Sequence, residues 1–139
     1  MRVDGEVVGE IGRGVLALVG VEVGDGPAEA AATAKKVAEL RLFEDEDGRA
    51  NLDTAAVGGA FLVVSQFTLC ASLVKGRRPS FNGAARPELA QPLVTAVMDD
   101  LAGRGFRVEG GRFGAYMEVE LVNDGPVTFV LEARDGRIV

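Results

Sequence analysis

One stretch of the chain is continuously apolar and then becomes polar. The segment 61–69 begins with four apolar residues, which predicts a strand that is covered on both faces in the middle of a sheet. Ser65, Gln66 and Thr68 then bring two hydroxyls and an amide into the same segment. Because an unpartnered buried polar group costs about 1–3 kcal/mol, either the sheet or a ligand should satisfy these groups.

The pattern elsewhere predicts further elements around this strand. Asp4-Gly5, between two short apolar segments, predicts an opening hairpin with a type I′ turn. The run 15–21 is apolar on both faces and predicts a second core strand. Helices are predicted over the alanine-rich segment 28–40 and from Pro87 onward, where apolar residues recur on one face. Short strands are predicted at 106–108, 116–122 and 127–131.

Together these elements predict one α/β domain of the α+β type over residues 1–139. We expect a mainly antiparallel or mixed β-sheet, or a barrel-like sheet, with two helices packed on it. A hydrophobic content of 47% is sufficient for a single core. No apolar run could span a bilayer, the amino terminus is not signal-like, and a single cysteine indicates a reducing cytoplasm.

Charge and residue types exclude several kinds of chemistry. The net charge of −6 argues against a general nucleic-acid binder, and we expect neither DNA nor a membrane as a partner. The sequence contains no histidine, which excludes a histidine base and any imidazole metal site. We expect no metal and no cofactor. The acidic run 44–48 lacks the alternating spacing of a calcium loop and predicts a solvated turn.

Lys75, Arg77 and Arg78 form the basic cluster of this acidic chain. They follow the polar end of the central strand by a few residues. Two interpretations remain open at this point, a solvated loop and a phosphate contact beside the strand end.

Two motifs, taken together, carry a family resemblance. By spacing alone, Asn123-Asp124-Gly125-Pro126 is a plain hairpin turn. Followed by Val127-Thr128, and combined with Ser65-Gln66-Phe67-Thr68-Leu69, it resembles the signature motifs of the D-aminoacyl-tRNA deacylases, dimeric enzymes that remove D-amino acids from mischarged tRNA. The segments 4–12, 48–52, 76–81 and 111–115 agree as well, so the resemblance covers nearly the whole chain.

The resemblance implies a cytoplasmic ester hydrolase that releases a D-amino acid from the 3′ end of tRNA as a step of chiral proofreading. Glycine mischarged on alanine tRNA is a further candidate substrate. In the family a cis Gly-Pro loop enters the active site of the partner in a homodimer. Carried over, the Gly125 carbonyl would accept a hydrogen bond from the substrate's α-amino group, and Gly125-Pro126 would exclude an L side chain. Phe113 and Met117 would contact the substrate.

The catalytic residues implied by the resemblance are Ser65, Gln66, Phe67 and Thr68. Backbone N–H groups of Phe67 and Thr68 would polarise the ester carbonyl as oxyanion donors, while Ser65 and Gln66 would hold the strand end. No base is available for the Thr68 hydroxyl, so we favour assistance by the 2′-hydroxyl of the terminal adenosine. Cys70 is expected to be a small buried side chain rather than a thiolate. The alternative to an enzyme is a catalytically inactive tRNA-binding module.

Both chain ends differ from the family pattern. Family members usually begin with a further strand, which is absent before Met1, and the tail 133–139 runs past the usual last strand. Residues 136–139 combine an arginine with β-branched residues, so they could replace the missing edge strand. The other interpretation is a frayed terminus.

Overall fold

The computed structural model describes all residues from Met1 to Val139. It contains nine strands, two α-helices and one short 3₁₀ helix. The strands are β1 (Arg2–Val3), β2 (Glu6–Val7), β3 (Gly14–Val19), β4 (Phe43–Glu44), β5 (Ala50–Leu52), β6 (Ala60–Ser65), β7 (Val108–Gly110), β8 (Ala133–Arg134) and β9 (Arg137–Ile138). The helices are α1 (Pro27–Glu39), the 3₁₀ helix (Phe67–Cys70) and α2 (Pro87–Gly103).

The central strand is β6, which lies between β3 and β7 in a three-stranded sheet. Phe61 pairs with Val15 on one side and with Val108 on the other. Residues 61–64 are each at most 6% exposed. The prediction of a strand buried on both faces in the middle of a sheet is therefore confirmed.

All three strands of this sheet are parallel, so of the antiparallel and mixed alternatives the antiparallel one is wrong. The chain passes from β3 through α1 to β6 and then through α2 to β7, and such a crossover returns each strand in the same direction. Antiparallel pairing is confined to three two-stranded pieces, β1–β2, β4–β5 and β8–β9. The strands form four separate sheets rather than a barrel, while the α/β class with two helices packed on mixed sheets is confirmed.

The main core lies on one face of the sheet. Phe61 and Val63 of β6 pack there with Val94 and Leu101 of α2. Helix α1 contributes alanines spaced four residues apart, which allow α1 and α2 to approach closely. These buried alanines are Ala30, Ala34 and Ala38. On the opposite face a smaller cluster joins Leu62 and Val64 to the buried Met1.

The strand predicted over 61–69 ends early, at Ser65. The Gln66 N–H donates to the Val19 carbonyl at 2.8 Å, and Val19 is the last residue of β3. Beyond that point β3 offers no further backbone partner, so residues 67–70 form the 3₁₀ helix instead of continuing the strand.

The two closing strands predicted at 116–122 and 127–131 are wrong for the single chain. Only one isolated bridge forms, in which Arg2 and Glu118 exchange backbone hydrogen bonds of 2.8 and 2.9 Å. Val122 and Val130 are 91% and 90% exposed. Strand propensity produces no strand where the chain supplies no partner ladder.

The tail is neither a replacement strand nor a frayed end. Strands β8 and β9 pair with each other through a turn in which Asp135 and Gly136 both have positive φ. The Gly136 N–H donates to Glu29 Oε2 at 2.7 Å, which attaches the hairpin to the first turn of α1. Local pairing satisfies these backbone groups, so no other strand is needed.

Two predicted turns are confirmed. Asp4 and Gly5 have φ values of 51° and 81°, as a type I′ turn between β1 and β2 requires. The acidic run joins β4 and β5, where Asp45 Oδ1 accepts hydrogen bonds from the N–H groups of Asp47 and Arg49. Neither α-helix combines the length and apolar character that crossing a bilayer would require.

Candidate active site

The end of β6 opens onto a cavity of about 280 Å³ between α2 and the loop that follows β7. Ser65, the last residue of β6, lines one side. Phe113 and Met117 line the loop side. Three of the predicted site residues are therefore brought together, although they lie far apart in the sequence.

Gln66 and Thr68 follow Ser65 closely in the chain but do not line the cavity. Gln66 Nε2 donates a hydrogen bond to Thr68 Oγ1 at 2.5 Å. The Thr68 side chain is exposed, and the partner that its hydroxyl oxygen contacts is a donor. A nucleophilic hydroxyl needs a neighbouring acceptor that can take its proton, and this amide nitrogen cannot do so.

The backbone N–H groups of Phe67 and Thr68, unlike the Thr68 hydroxyl, have no hydrogen-bond partner within the chain. These two residues begin the 3₁₀ helix, where the first N–H groups have no partner inside the helix. The hydrogen bonds of this turn start with Leu69, whose N–H donates to the Gln66 carbonyl at 3.2 Å. The local geometry thus leaves the two N–H groups available to an oxygen of a ligand.

Gly125 and Pro126 lie in an exposed loop and do not line the cavity. The chain contains no cis peptide bond, so the Gly125–Pro126 bond is trans and the expected cis bond is absent. Asn123 Nδ2 donates to Thr128 Oγ1 at 3.2 Å across the loop. A Cβ on Gly125 would lie only 2.1 Å from the Val127 nitrogen, so the loop geometry itself requires glycine here.

The basic cluster lies on an exposed loop. Ser72 and Ser80 close this loop by exchanging backbone hydrogen bonds of 2.7 and 2.9 Å. Lys75, Arg77 and Arg78 are exposed between them and take part in none of the ion pairs of the structure. The loop is confirmed, and the phosphate contact stays a prediction.

An aromatic pair connects the basic loop to the strand end. The rings of Phe67 and Phe81 meet edge to face, with centroids 5.1 Å apart. Phe67 follows Gln66 directly, and Phe81 follows the bridge at Ser80. The contact holds the end of the basic loop, at Phe81, next to the candidate oxyanion donors.

Cys70 is half-buried at the end of the 3₁₀ helix. Burial raises the pKa of its thiol above the ordinary value, and Glu22 and Asp25 raise that pKa further. A raised pKa keeps the sulfur protonated at neutral pH, which agrees with a packing role rather than a catalytic thiolate.

Three residues that line the cavity were not predicted from the sequence. Gln91, Thr95 and Asp99 of α2 line the cavity together with Phe113. They are spaced four residues apart and form one polar stripe beside the apolar face of the helix. That spacing was the available signal, because a polar stripe next to the buried face is where a helix can border a ligand. No group of three or more carboxylates or thiols forms a metal site in the structure.

These features define an α/β protein with a polar strand end beside a cavity and two available backbone donors. The family model described as D-Tyr-tRNA(Tyr) deacylase matches residues 1–132. A D-aminoacyl-tRNA deacylase of Roseiflexus castenholzii is 56% identical over 133 residues, which are 96% of this chain and 85% of that protein. One from Syntrophotalea carbinolica is 54% identical over 133 residues, 96% of this chain and 89% of that protein.

Two solved structures are similar as well. The c-Myc DNA Unwinding Element Binding Protein has a TM-score of 0.88 at 36% identity, covering 96% of this chain and 91% of that chain. A probable eukaryotic D-amino acid tRNA deacylase has a TM-score of 0.69 over 84% of this chain and 83% of that chain, and its 17% identity shows the fold alone. The chain belongs to the D-Tyr-tRNA(Tyr) deacylase family, which confirms the resemblance read from the two motifs.

Proposed function

We propose that this chain hydrolyses the ester bond between a D-amino acid and the terminal adenosine of tRNA, releasing the amino acid and free tRNA. Its family and the names of its relatives support this activity. The observation that carries the proposal is the end of β6, where Ser65 borders a cavity and the next residues present two unpaired N–H groups.

Backbone groups and the substrate would perform the chemistry. The N–H groups of Phe67 and Thr68 would stabilise the negative charge that develops on the ester oxygen, an effect worth about 2.7–4 kcal/mol for one donor. The Thr68 hydroxyl already accepts a hydrogen bond from Gln66, so the 2′-hydroxyl of the terminal adenosine would assist the reaction. Phe113 and Met117 would contact the substrate inside the cavity.

The proposed active unit is a homodimer. Within one chain, Gly125-Pro126 does not reach the cavity, so a loop that reads chirality would have to come from a second copy. Residues 116–131 expose Val122, Phe129 and Val130 and lack the pairing their sequence favours. A second copy could cover these side chains and supply backbone partners, in an interface of more than about 1,000 Å² in total.

We further propose that the acceptor end of tRNA lies along the basic loop. Lys75, Arg77 and Arg78 are exposed and available to phosphates there, and the contact between Phe67 and Phe81 keeps the end of their loop near the strand end. The proposed location is the cytoplasm, which agrees with a single cysteine and no disulfide.

A deacylation assay on matched D- and L-aminoacyl-tRNA tests the activity. We expect hydrolysis of the D form only. Binding of tRNA without hydrolysis of either form would favour a catalytically inactive tRNA-binding module. Light scattering at micromolar concentration tests the assembly, and an active monomer would contradict the shared site.

A further inference from the structure

A second cavity lies at the opposite end of the central strand. It has a volume of about 480 Å³ and is bordered by Ala60, the first residue of β6, whereas Ser65 at the other end borders the candidate active site. At about 3.3 Å per residue, the two ends of β6 are about 17 Å apart. The proposed function leaves this second cavity unused.

Three arginines line this cavity: Arg13, Arg104 and Arg107. They come from three separate segments, the entry to β3, the end of α2 and the entry to β7. We call it the three-arginine cavity. The chain as a whole has a net charge of −6, so three arginines at one place differ from the acidic character of the rest.

Most of the N–H donors of these arginines have no hydrogen-bond partner. Arg104 uses Nε for Asp100 at 2.6 Å, and Arg107 uses Nη2 for the Glu10 carbonyl at 3.1 Å and lies 3.7 Å from Glu109. The guanidinium of Arg13 lies 5.1 Å from the centre of the Phe43 ring, and its N–H groups take part in no hydrogen bond or ion pair. Because each guanidinium carries five N–H donors, the three together retain many that could bind oxyanions.

We propose that the three-arginine cavity binds phosphate groups, and that in the working enzyme these are backbone phosphates of the tRNA acceptor stem. Guanidinium groups suit this ligand because their paired donors match two phosphate oxygens. The identity of the ligand rests on the proposed function, whereas the phosphate chemistry rests on the arginines alone.

The distance between the cavities fits this ligand. One strand of a nucleic acid carries a phosphate on every nucleotide, so a separation of about 17 Å is spanned by several nucleotides. With its terminal ester at Ser65, an acceptor strand that runs along the protein surface would place a phosphate several nucleotides upstream at the second cavity. A substrate of one nucleoside cannot extend that far.

The test compares two double variants of equal charge. Arg104→Gln with Arg107→Gln alters the cavity, and Arg134→Gln with Arg137→Gln removes the same charge from the tail hairpin, outside both cavities. Filter binding of uncharged tRNA is measured between about 50 and 200 mM salt. Loss of two phosphate contacts should lower the slope of log affinity against log salt by about 1–2, with about tenfold weaker binding at 0.1 M salt. The tail variant should keep the wild-type slope, and equal slopes for the two variants would overturn the proposal.

Two further measurements separate the possible failures. Both double variants should hydrolyse a D-aminoacyl-adenosine at the same rate as the wild type. If the wild type hydrolyses no D-ester, the proposed function is refuted. The salt slope of tRNA binding would then still report whether the three-arginine cavity contacts phosphates. Melting in inorganic phosphate against chloride of equal ionic strength should show stabilisation of the wild type and not of the cavity variant. If phosphate stabilises the wild type but the cavity variant binds tRNA as the wild type does, tRNA is excluded as the ligand of the cavity and free phosphate remains. If the double variant fails to fold, Arg107→Gln alone should lower the slope by about 1.

Discussion

The proposed oxyanion donors can be tested by deleting one N–H group. Phe67 is the first residue of the 3₁₀ helix, where proline is tolerated because its fixed φ suits a helix start and its missing N–H has no helical partner. Gln66, with φ −144° and ψ 81°, lies outside the helical region that a following proline disfavours. Phe67→Pro removes the donor, and Phe67→Ala is the matched control that keeps it.

The two variants share every other loss. Both remove a side chain that is 58% exposed and its edge-to-face contact with Phe81, a contact worth about 0.5–1.5 kcal/mol. Only the proline variant loses a group that would bind the developing oxyanion. The loss of one such donor costs about 2.7–4 kcal/mol, or about 10²–10³ in rate.

Single-turnover hydrolysis of D-aminoacyl-tRNA separates the chemical step from binding. We expect Phe67→Ala to retain a rate near that of the wild type and Phe67→Pro to be about 10²–10³ slower than the alanine variant. Melting temperatures show whether both variants are folded. A folded proline variant as fast as the alanine variant would refute the assignment of the Phe67 N–H as an oxyanion donor.

Four more outcomes follow from the structure. Thr68→Ala should retain most of kcat because the Thr68 oxygen only accepts a hydrogen bond, and loss of the chemical step in a folded variant would restore a nucleophilic role. A substrate ending in 2′-deoxyadenosine should react much more slowly, and an unchanged rate would exclude assistance by the 2′-hydroxyl. Deleting residues 135–139 should lower the melting temperature by several degrees with unchanged kcat, because it removes the 2.7 Å bond from Gly136 to Glu29; no change in melting temperature would show that the hairpin adds no stability. Leu101→Ala, at a fully buried position, should lower the free energy of unfolding by about 2–5 kcal/mol in urea titrations, and a loss below about 1 kcal/mol would contradict its place in the core.

The centre of the fold could be predicted from the sequence because four successive apolar residues can be desolvated together only inside a sheet. Phe61 to Val64 are accordingly buried on both faces. The parallel direction was also readable, since core strands alternate with helices along the chain, but strand propensity in the last third favoured an antiparallel interpretation. The strand expected at 106–108 forms at Val108–Gly110, where it meets β6.

The parts that could not be predicted depend on partners that a local pattern does not contain. Whether residues 67–69 continue a strand is decided by the end of β3 at Val19, far away in the chain. Whether 116–131 forms strands is decided by a ladder that this chain does not supply. The cavity joins Ser65 to Thr95 and Phe113, and the loop with Gly125 stays outside it, so the spacing of residues along the chain revealed the motifs but not their arrangement.

The parallel sheet also determines how this chain acquires its structure. In each of its two pairings, Gly14 with Ala60 and Phe61 with Val108, the partners are separated by a long connection that includes a helix. Such contacts form only after a long loop has closed, so refolding should be slow for a domain of this size. During synthesis from the amino terminus, β6 emerges with one neighbour available and acquires its second only when residues 108–110 follow. Until then the most apolar strand of the protein keeps an open edge, and this interval is when the chain is most exposed to aggregation.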